Sequence, residues 1–262
     1  MHFWNIYLTA GLVILGAMLL LWLVSLALKN SSIVDSFWGM GFIIASWVYF
    51  ALTPDGFMGR RLLISTLVSL WGLRLSLYIL WRNWGKAEDF RYRKWREEAG
   101  AKWWWLSFLR VFLLQGILLW IISIPLLAAQ FSAAPDGFTW LDGLGVIVWL
   151  VGFFFEAVGD WQMARFKARP ESHGKVMSGG VWRYTRHPNY FGDAAQWWGF
   201  YLLAAATLSG MWTVYSPLMM TLLLLRVSGV ALLEKTLKET RAGYLDYIKT
   251  TSAFVPWMPR KQ

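Results

Sequence analysis

Glu156 and Asp160 stand four residues apart in a stretch otherwise built of Phe, Val, Ala and Gly, and Asp35, Arg74, Arg110, Asp193 and Arg226 interrupt other apolar stretches in the same way. On a helix, residues at i and i+4 share a face. Two carboxylates placed so repel one another unless a cation, a donor-rich ligand or a proton sits between them. Trp71, Arg74 and Tyr78 follow at i, i+3 and i+7, one stripe that combines an indole N–H, a fixed positive charge and a phenol. Asp35 opens the run Asp35-Ser-Phe-Trp38-Gly39-Met-Gly41, whose glycines let a second helix or a ligand come close. Acids and bases at such positions on several helices suggest a polar cavity within the membrane.

The densest polar stretch is Lys175 to Asp193. Gly179-Gly180 frees the backbone to turn, Arg183, Arg186 and His187 supply donors, and Pro188 fits the entry to a helix. A helix N-terminus beside two arginines is an anion site, and with Arg165, Lys167 and Lys175 nearby it has the charge to hold several phosphates. The same basic residues also suit a loop resting on anionic lipid headgroups. Other chemistries are excluded by composition. With no cysteine there is no thiol nucleophile, disulfide or thiolate metal site, and with only His2, His173 and His187 a multi-histidine metal centre is not expected.

The elements that must position these groups are membrane helices. Of 262 residues, 57% are hydrophobic and 15% charged, against roughly 25% charged in a soluble domain. Apolar runs of about 20 residues recur along the whole chain, at 6–28, 33–52, 62–81, 104–129, 138–160, 190–208 and 212–233. The expected fold is therefore a single all-α integral membrane domain over residues 1–262, with about seven transmembrane helices. The first run carries no basic leader and no small-residue cleavage motif, so it reads as a span. The segments 82–102, 165–187 and 234–262 hold nineteen of the 25 Lys and Arg residues, and a seven-span chain puts all three on one side. The positive-inside rule makes that side the cytoplasm and leaves the N-terminus outside. Arg60 and Arg61 weigh the other way. The net charge of +10 thus reports topology rather than nucleic-acid binding, and the 20 tryptophans fit interfacial belts.

A charge at the centre of a membrane helix costs about 2.5–3.5 kcal/mol. In the orientation above, all seven intramembrane charges fall in the cytoplasmic half, which implies a polar cavity open to the cytoplasm under loops at about 82–103, 163–189 and 234–262. Asp142, near the outer end of its span, reads as a solvated helix cap. The outer half looks sealed, which counts against a transporter or sensor with a path across the membrane.

In order and spacing the chain resembles the steroid 5α-reductase family, in its bacterial branch. Gly179 to Asp193 followed by Trp197-Trp198-Gly199 carries the resemblance. It is supported by Asp35-x-x-Trp38-Gly39, Trp71-x-x-Arg74-Leu75, Gln115-Gly116, Glu156-x-x-x-Asp160 and Arg226-Val-Ser-Gly-Val-x-Leu-Leu-Glu234. The resemblance implies an inner-membrane enzyme that binds NADPH from the cytoplasm, needs no metal, and reduces the C4–C5 double bond of a 3-oxo-Δ4-steroid or another lipophilic enone. It implies cofactor contacts at Asp160, Lys167, Asn189, Tyr190 and Asp193, with Glu156 standing where the family has asparagine and Lys175 at a basic position suited to phosphate. Tyr184, Arg186, His187, Arg226 and Tyr247 complete the expected cofactor set. Asp35 corresponds to a glutamate that polarises the 3-keto group, but the tyrosine that partners it in the family corresponds to Trp71. An indole can donate a hydrogen bond but not a proton at useful acidity. Either Tyr78 on the same stripe takes that role, or a protonated Asp35 does, which burial favours and nearby Arg74 opposes, or the substrate differs. A shorter Arg-His-Pro signature also occurs in membrane methyltransferases that use S-adenosylmethionine to modify isoprenylcysteine, so that fragment alone fits two chemistries.

Overall fold

The computed structural model describes residues 1–227 and 230–260. Among these residues the chain is helical, with no strand and a single isolated bridge, Thr185 to Ser252. Ser228 and Gly229 of the Arg226–Glu234 motif lie outside the described residues. Among the described residues, six helical stretches are long and apolar enough to cross a bilayer. The chain forms two compact units, Met1–Thr139 with Ala204–Thr213, and Trp140–Leu203 with Val214 onward.

The first unit begins with α1, Phe3–Leu28, which carries no charged side chain over 26 residues. Only 17% of its most apolar window is buried, and Leu8, Leu12, Leu20 and Leu23 face outward. Lipid accounts for that exposure; water would penalise it. It stops at Lys29, whose left-handed backbone (φ 51°) turns the chain. The next two helices, α2 (Ile33–Leu52) and α3 (Met58–Asn83), are joined by a short link. They cross at a glycine pair: a Cβ built on Gly39 would sit 2.2 Å from the Gly72 carbonyl oxygen, and one on Gly72 2.6 Å from that of Gly39. Gly39 and Gly41 therefore serve helix packing, Gly41 against Leu119.

Arg60 and Arg61, the exceptions to the charge bias, are buried at the start of α3. Arg61 donates to the carbonyls of Phe50 (2.6 Å) and Pro54 (3.2 Å), and Arg60 to that of Gly137 (3.1 Å). They satisfy acceptors left over at the end of α2 and in a loop, which is work a guanidinium fork does well. They are structural, so they carry little weight as topology signals.

From Phe90 to Phe131 the chain is one nearly continuous helical path with identifiable breaks. The segment expected as a basic loop holds α4, Phe90–Ala99, capped by the Asp89 side chain on the Arg91 N–H (3.0 Å) and ended by Gly100 at φ +54°. Then follow α5 (Trp103–Ser107), a wide turn at Phe108–Leu113, α6 (Leu114–Ile122) and α7 (Ile124–Phe131). Pro125 enforces the break before α7 because it lacks the N–H that would continue the ladder.

The second unit is built on α8 (Trp140–Lys167) and α9 (Pro188–Ala205). Gly145, Gly152 and Gly159 repeat every seven residues, two turns, and so lie on one face. Gly199, Gly192 and Pro188 meet them in antiparallel order: a Cβ on Gly152 would lie 2.6 Å from the Gly192 oxygen, and one on Gly192 2.4 Å from that of Gly152. Backbones in direct contact leave no room for a methyl group. Although α9 has 18 residues, Asn189, Asp193 and Gln196 keep it off the set of six apolar helices, whereas the sequence reading makes it the sixth of seven spans. Asp142 is buried at 1% exposure, not the solvated cap expected. After α10 (Tyr215–Leu222) and a wide turn at Leu223–Val227 come α11 (Val230–Thr240) and α12 (Tyr244–Thr250), helices in the segment expected as a loop.

Candidate functional site

In the first unit a connected polar chain converges on Asp35, in the first turn of α2. Its Oδ1 accepts from the Tyr92 hydroxyl at 2.6 Å, and its Oδ2 from Arg91 Nη2 at 3.2 Å. The Tyr92 oxygen in turn accepts from Gln115 Nε2 at 3.1 Å, and Gln115 Oε1 accepts from the Trp38 indole. Tyr92 is 4% exposed while Asp35 keeps 24% of its side chain open, so the phenol is embedded and the carboxylate is reachable.

Folding places these groups through charged clamps on the α3–α4 connection. Glu88 accepts from the Ser31 N–H (2.6 Å) and from Arg96 (2.8 and 2.9 Å). Burial pushes the Glu88 carboxyl up, but those donors outweigh it and hold it below the ordinary range. Asp89 behaves likewise: burial raises it, and the Arg91 side chain and N–H lower it further. Arg91 thus spans Asp89 (2.9 Å) and Asp35, tying α4 to the start of α2.

The residues expected to assist Asp35, namely Trp71, Arg74 and Tyr78, all stand on α3. Trp71 is 1% exposed, against the Phe42 ring at 5.6 Å, and the Arg74 guanidinium lies 5.4 Å from the centre of the Tyr78 ring. Among the described residues, Tyr92 and Arg91, both on α4, donate to Asp35. Sequence reading missed Tyr92. Its one local signal was Asp89 ahead of an amphipathic charged run, a helix-start pattern that places Arg91 and Tyr92 in the first turn. Gln115 was noted, but only as part of the resemblance.

In the second unit the expected cofactor residues divide into three sets. Glu156 and Asp160 do share a face of α8 and are 3% and 5% exposed. Each is met by an amide from α9: Gln196 Nε2 donates to Glu156 Oε2 at 2.6 Å, and Asn189 Nδ2 to Asp160 Oδ1 at 3.2 Å. Gln196 Oε1 is buried without a partner, and Asp193 sits half-buried on the same helix.

The second set is a fastening. Arg186 binds Glu234 Oε1 through Nε (2.8 Å) and Nη2 (2.7 Å), and donates to the carbonyls of Thr251 (2.6 Å) and Ile248 (3.3 Å). His187 Nε2 lies 3.3 Å from the same Glu234 oxygen, and its ring stacks on Tyr190. Burial pushes the Glu234 carboxyl up, yet hydrogen bonds from His187 and Arg186 bring it down to about 2. Tyr247 donates to the Trp182 carbonyl, and the Trp182 indole to that of Gly159 (3.1 Å). Burial, reinforced by Glu234, raises the phenol of the neighbouring Tyr244 to about 12. Arg186, His187 and Tyr247 are thus engaged in holding the loop before α9 to α11 and α12.

The third set, Lys167, Lys175, Tyr184 and Arg226, is exposed, as is Arg183. Gly180 takes φ +60° where a Cβ would strike the Gln162 side chain, so the loop turns on a residue that only glycine fits. Among the described residues, no cluster of three or more His, Asp or Glu side chains suits a metal.

A family described as protein of unknown function (DUF1295) matches residues 21–251, most of the chain. The chain belongs to that family. The match takes in both polar clusters, from Asp35 to Thr251, so each is part of the DUF1295 region. An uncharacterized protein of Schizosaccharomyces pombe is 26% identical, over 75% of this chain and 64% of its own length, so the chain spans less than two thirds of that relative. No solved structure matches the chain.

Proposed function

We propose that this DUF1295 protein is a membrane-embedded, NADPH-dependent reductase of a carbon–carbon double bond conjugated to a ketone, most simply the C4–C5 bond of a 3-oxo-Δ4-steroid. The observation that carries the reading is the Tyr92–Asp35 hydrogen bond at 2.6 Å, braced by Gln115 and by Arg91. It offers the carboxyl and phenol pair that the resemblance asks for, with the phenol coming from α4 rather than from Tyr78 on the Trp71 stripe of α3.

The residues of the second unit fit the cofactor by their donor and acceptor chemistry. Glu156, Asp160 and the unpartnered Gln196 Oε1 are acceptors, suited to ribose hydroxyls or a carboxamide N–H. Lys167, Lys175 and Arg183 offer exposed cations for phosphates. Arg186 and His187 act by fixing the loop that carries those groups. When bound, the nicotinamide supplies a hydride.

The chain's own residues must then stabilise charge on the ketone oxygen. Tyr92 presents one O–H, which an arriving ketone oxygen takes over from Asp35. Gln115 donates to the phenol oxygen and so polarises the O–H that the ketone oxygen accepts, which lowers the barrier by a hydrogen bond while Tyr92 keeps its proton. Arg91 keeps the Asp35 carboxylate compensated throughout, and the buried setting of Tyr92 keeps water from competing for its proton.

In this reading the N-terminus lies outside and the basic segments lie in the cytoplasm of a bacterial inner membrane. The helix α9 provides a seventh crossing, its polar residues turned to α8 rather than to lipid. The deciding experiment is a binding comparison on purified protein, NADPH against S-adenosylmethionine. Saturable NADPH binding with none for S-adenosylmethionine is the expected result. The reverse makes the protein a lipid or isoprenylcysteine methyltransferase, the other chemistry in which an Arg-His-Pro loop is found.

A further inference from the structure

Beyond α12 the chain turns back on itself around a partly open cavity of ≈ 300 Å³, lined by residues 248–253 and by Arg186, Trp257, Met258 and Arg260. Backbone bonds hold its rim in place. The Arg260 N–H donates to the Thr250 carbonyl at 2.9 Å, closing the loop 250–260, and the Trp257 N–H donates to that of Tyr184 at 2.9 Å. The Arg186 N–H bonds the Ser252 carbonyl at 2.9 Å, so the wall is tied to the loop before α9 as well. A loop pinned at three points has its backbone pre-formed, so only the exposed side chains need ordering when a ligand arrives.

Its chemistry points to one kind of ligand. The lining holds three cationic side chains and the hydroxyls of Thr250, Thr251 and Ser252, and no carboxylate. The charge of Arg186 is matched by Glu234, so Lys249 and Arg260 carry the excess. Lys249 touches Asp246 at 2.8 Å, but both side chains are more than half exposed, and such a pair exchanges partners at little cost. Among the described residues Arg260 has no carboxylate within ion-pair reach. Trp257 and Met258, 73% and 75% exposed, offer apolar surface for whatever carries the anion.

We propose that this loop binds a phosphate group, held by Lys249 and Arg260 with the Thr250–Ser252 hydroxyls, and that Trp257 and Met258 cover the molecule bearing it. A nucleotide phosphate and a phospholipid headgroup present the same chemistry. The site rests on the geometry of the second unit alone and stands whether or not the protein is a reductase.

The test uses the full chain with two probes. One is 2′-AMP, titrated calorimetrically against protein in a neutral detergent. The other is phosphatidylglycerol, read by native mass spectrometry after extraction from nanodiscs that also contain phosphatidylcholine. At least one probe is expected to bind, and its affinity to fall about tenfold or more in Lys249→Ala/Arg260→Ala, as expected for losing two charge-assisted bonds to phosphate. The exchanged pair Lys249→Arg/Arg260→Lys should retain it. Saturable 2′-AMP binding assigns the phosphate to a nucleotide, and retention of phosphatidylglycerol alone assigns it to lipid. The proposal is overturned if neither probe binds, or if the double alanine variant binds as the parent does. Should the alanine variant unfold, equal binding by the parent and Arg260→Gln would overturn it instead.

Discussion

Replacing Tyr92 by phenylalanine removes one oxygen atom from the centre of the polar chain and leaves the packing of a residue that is 4% exposed almost unchanged. Two hydrogen bonds disappear with it, the 2.6 Å bond to Asp35 and the 3.1 Å bond from Gln115. Asp35 keeps Arg91 on its other oxygen, so the uncompensated groups are one carboxylate lone pair and one amide N–H. Leaving such groups unmatched costs about 1–3 kcal/mol of stability. If Tyr92 is the donor to the substrate oxygen, turnover falls further and separately, by about 10²–10³-fold, as for loss of a single oxyanion donor. Gln115→Met should cost about tenfold in turnover, since it removes the support of the phenol oxygen, together with some stability because the Trp38 indole loses its acceptor, and on turnover it should add almost nothing to Tyr92→Phe. The assay is consumption of NADPH by detergent-solubilised protein given a 3-oxo-Δ4-steroid, with thermal unfolding measured in parallel. A folded Tyr92→Phe protein whose kcat stays within about threefold of the parent would refute the assignment, because threefold is under 1 kcal/mol of barrier.

Other outcomes follow from the same geometry. Asp35→Ala should abolish turnover with NADPH affinity retained, while Asn189→Ala should chiefly weaken NADPH binding; equal loss of cofactor affinity in both would break the division of labour. Glu234, held at about 2 against an ordinary 4.5, favours the folded state above pH 4.5, and that contribution is lost as the pH falls from there toward 2. The shift corresponds to about 3 kcal/mol, or about 2 once partial exposure is allowed for. Acid titration of unfolding should therefore show a step in that window that Glu234→Gln lacks. Gly192→Val would push a side chain into the Gly152 carbonyl and should cost at least about 3 kcal/mol, seen as loss of folded yield, whereas substitution at Gly143, where a Cβ meets nothing, should be silent.

The long apolar helices were legible because hydrophobicity alone specifies them. The run 33–52 agrees with α2 to the residue, bounded by Ser31-Ser32 on one side and Pro54 on the other. What failed to show was polarity serving packing. Arg60 and Arg61 look like loop charges until the carbonyls of Phe50, Pro54 and Gly137 are seen against them. The polar residues of α9 look like a binding surface, and two of them face the carboxylates of α8. Tyr92 and Asp35 are separated by 57 positions, and no local periodicity records which phenol a carboxylate will meet. The glycines of α8 were visible as residues, but their role needed the matching glycines of α9, a match that exists only once two helices are antiparallel.

The loop before α9 carries the most recognisable motif of the chain, and its arginine spends its donors on Glu234 and on the carbonyls of Ile248 and Thr251. That makes Arg186-His187-Pro188 a joint rather than a tool. A joint is indifferent to what is done with the parts it joins, so the motif by itself does not say which chemistry the protein performs. Shortening the chain upstream of Thr251 would undo the joint from its far side, some 65 residues away in sequence, without touching the motif itself.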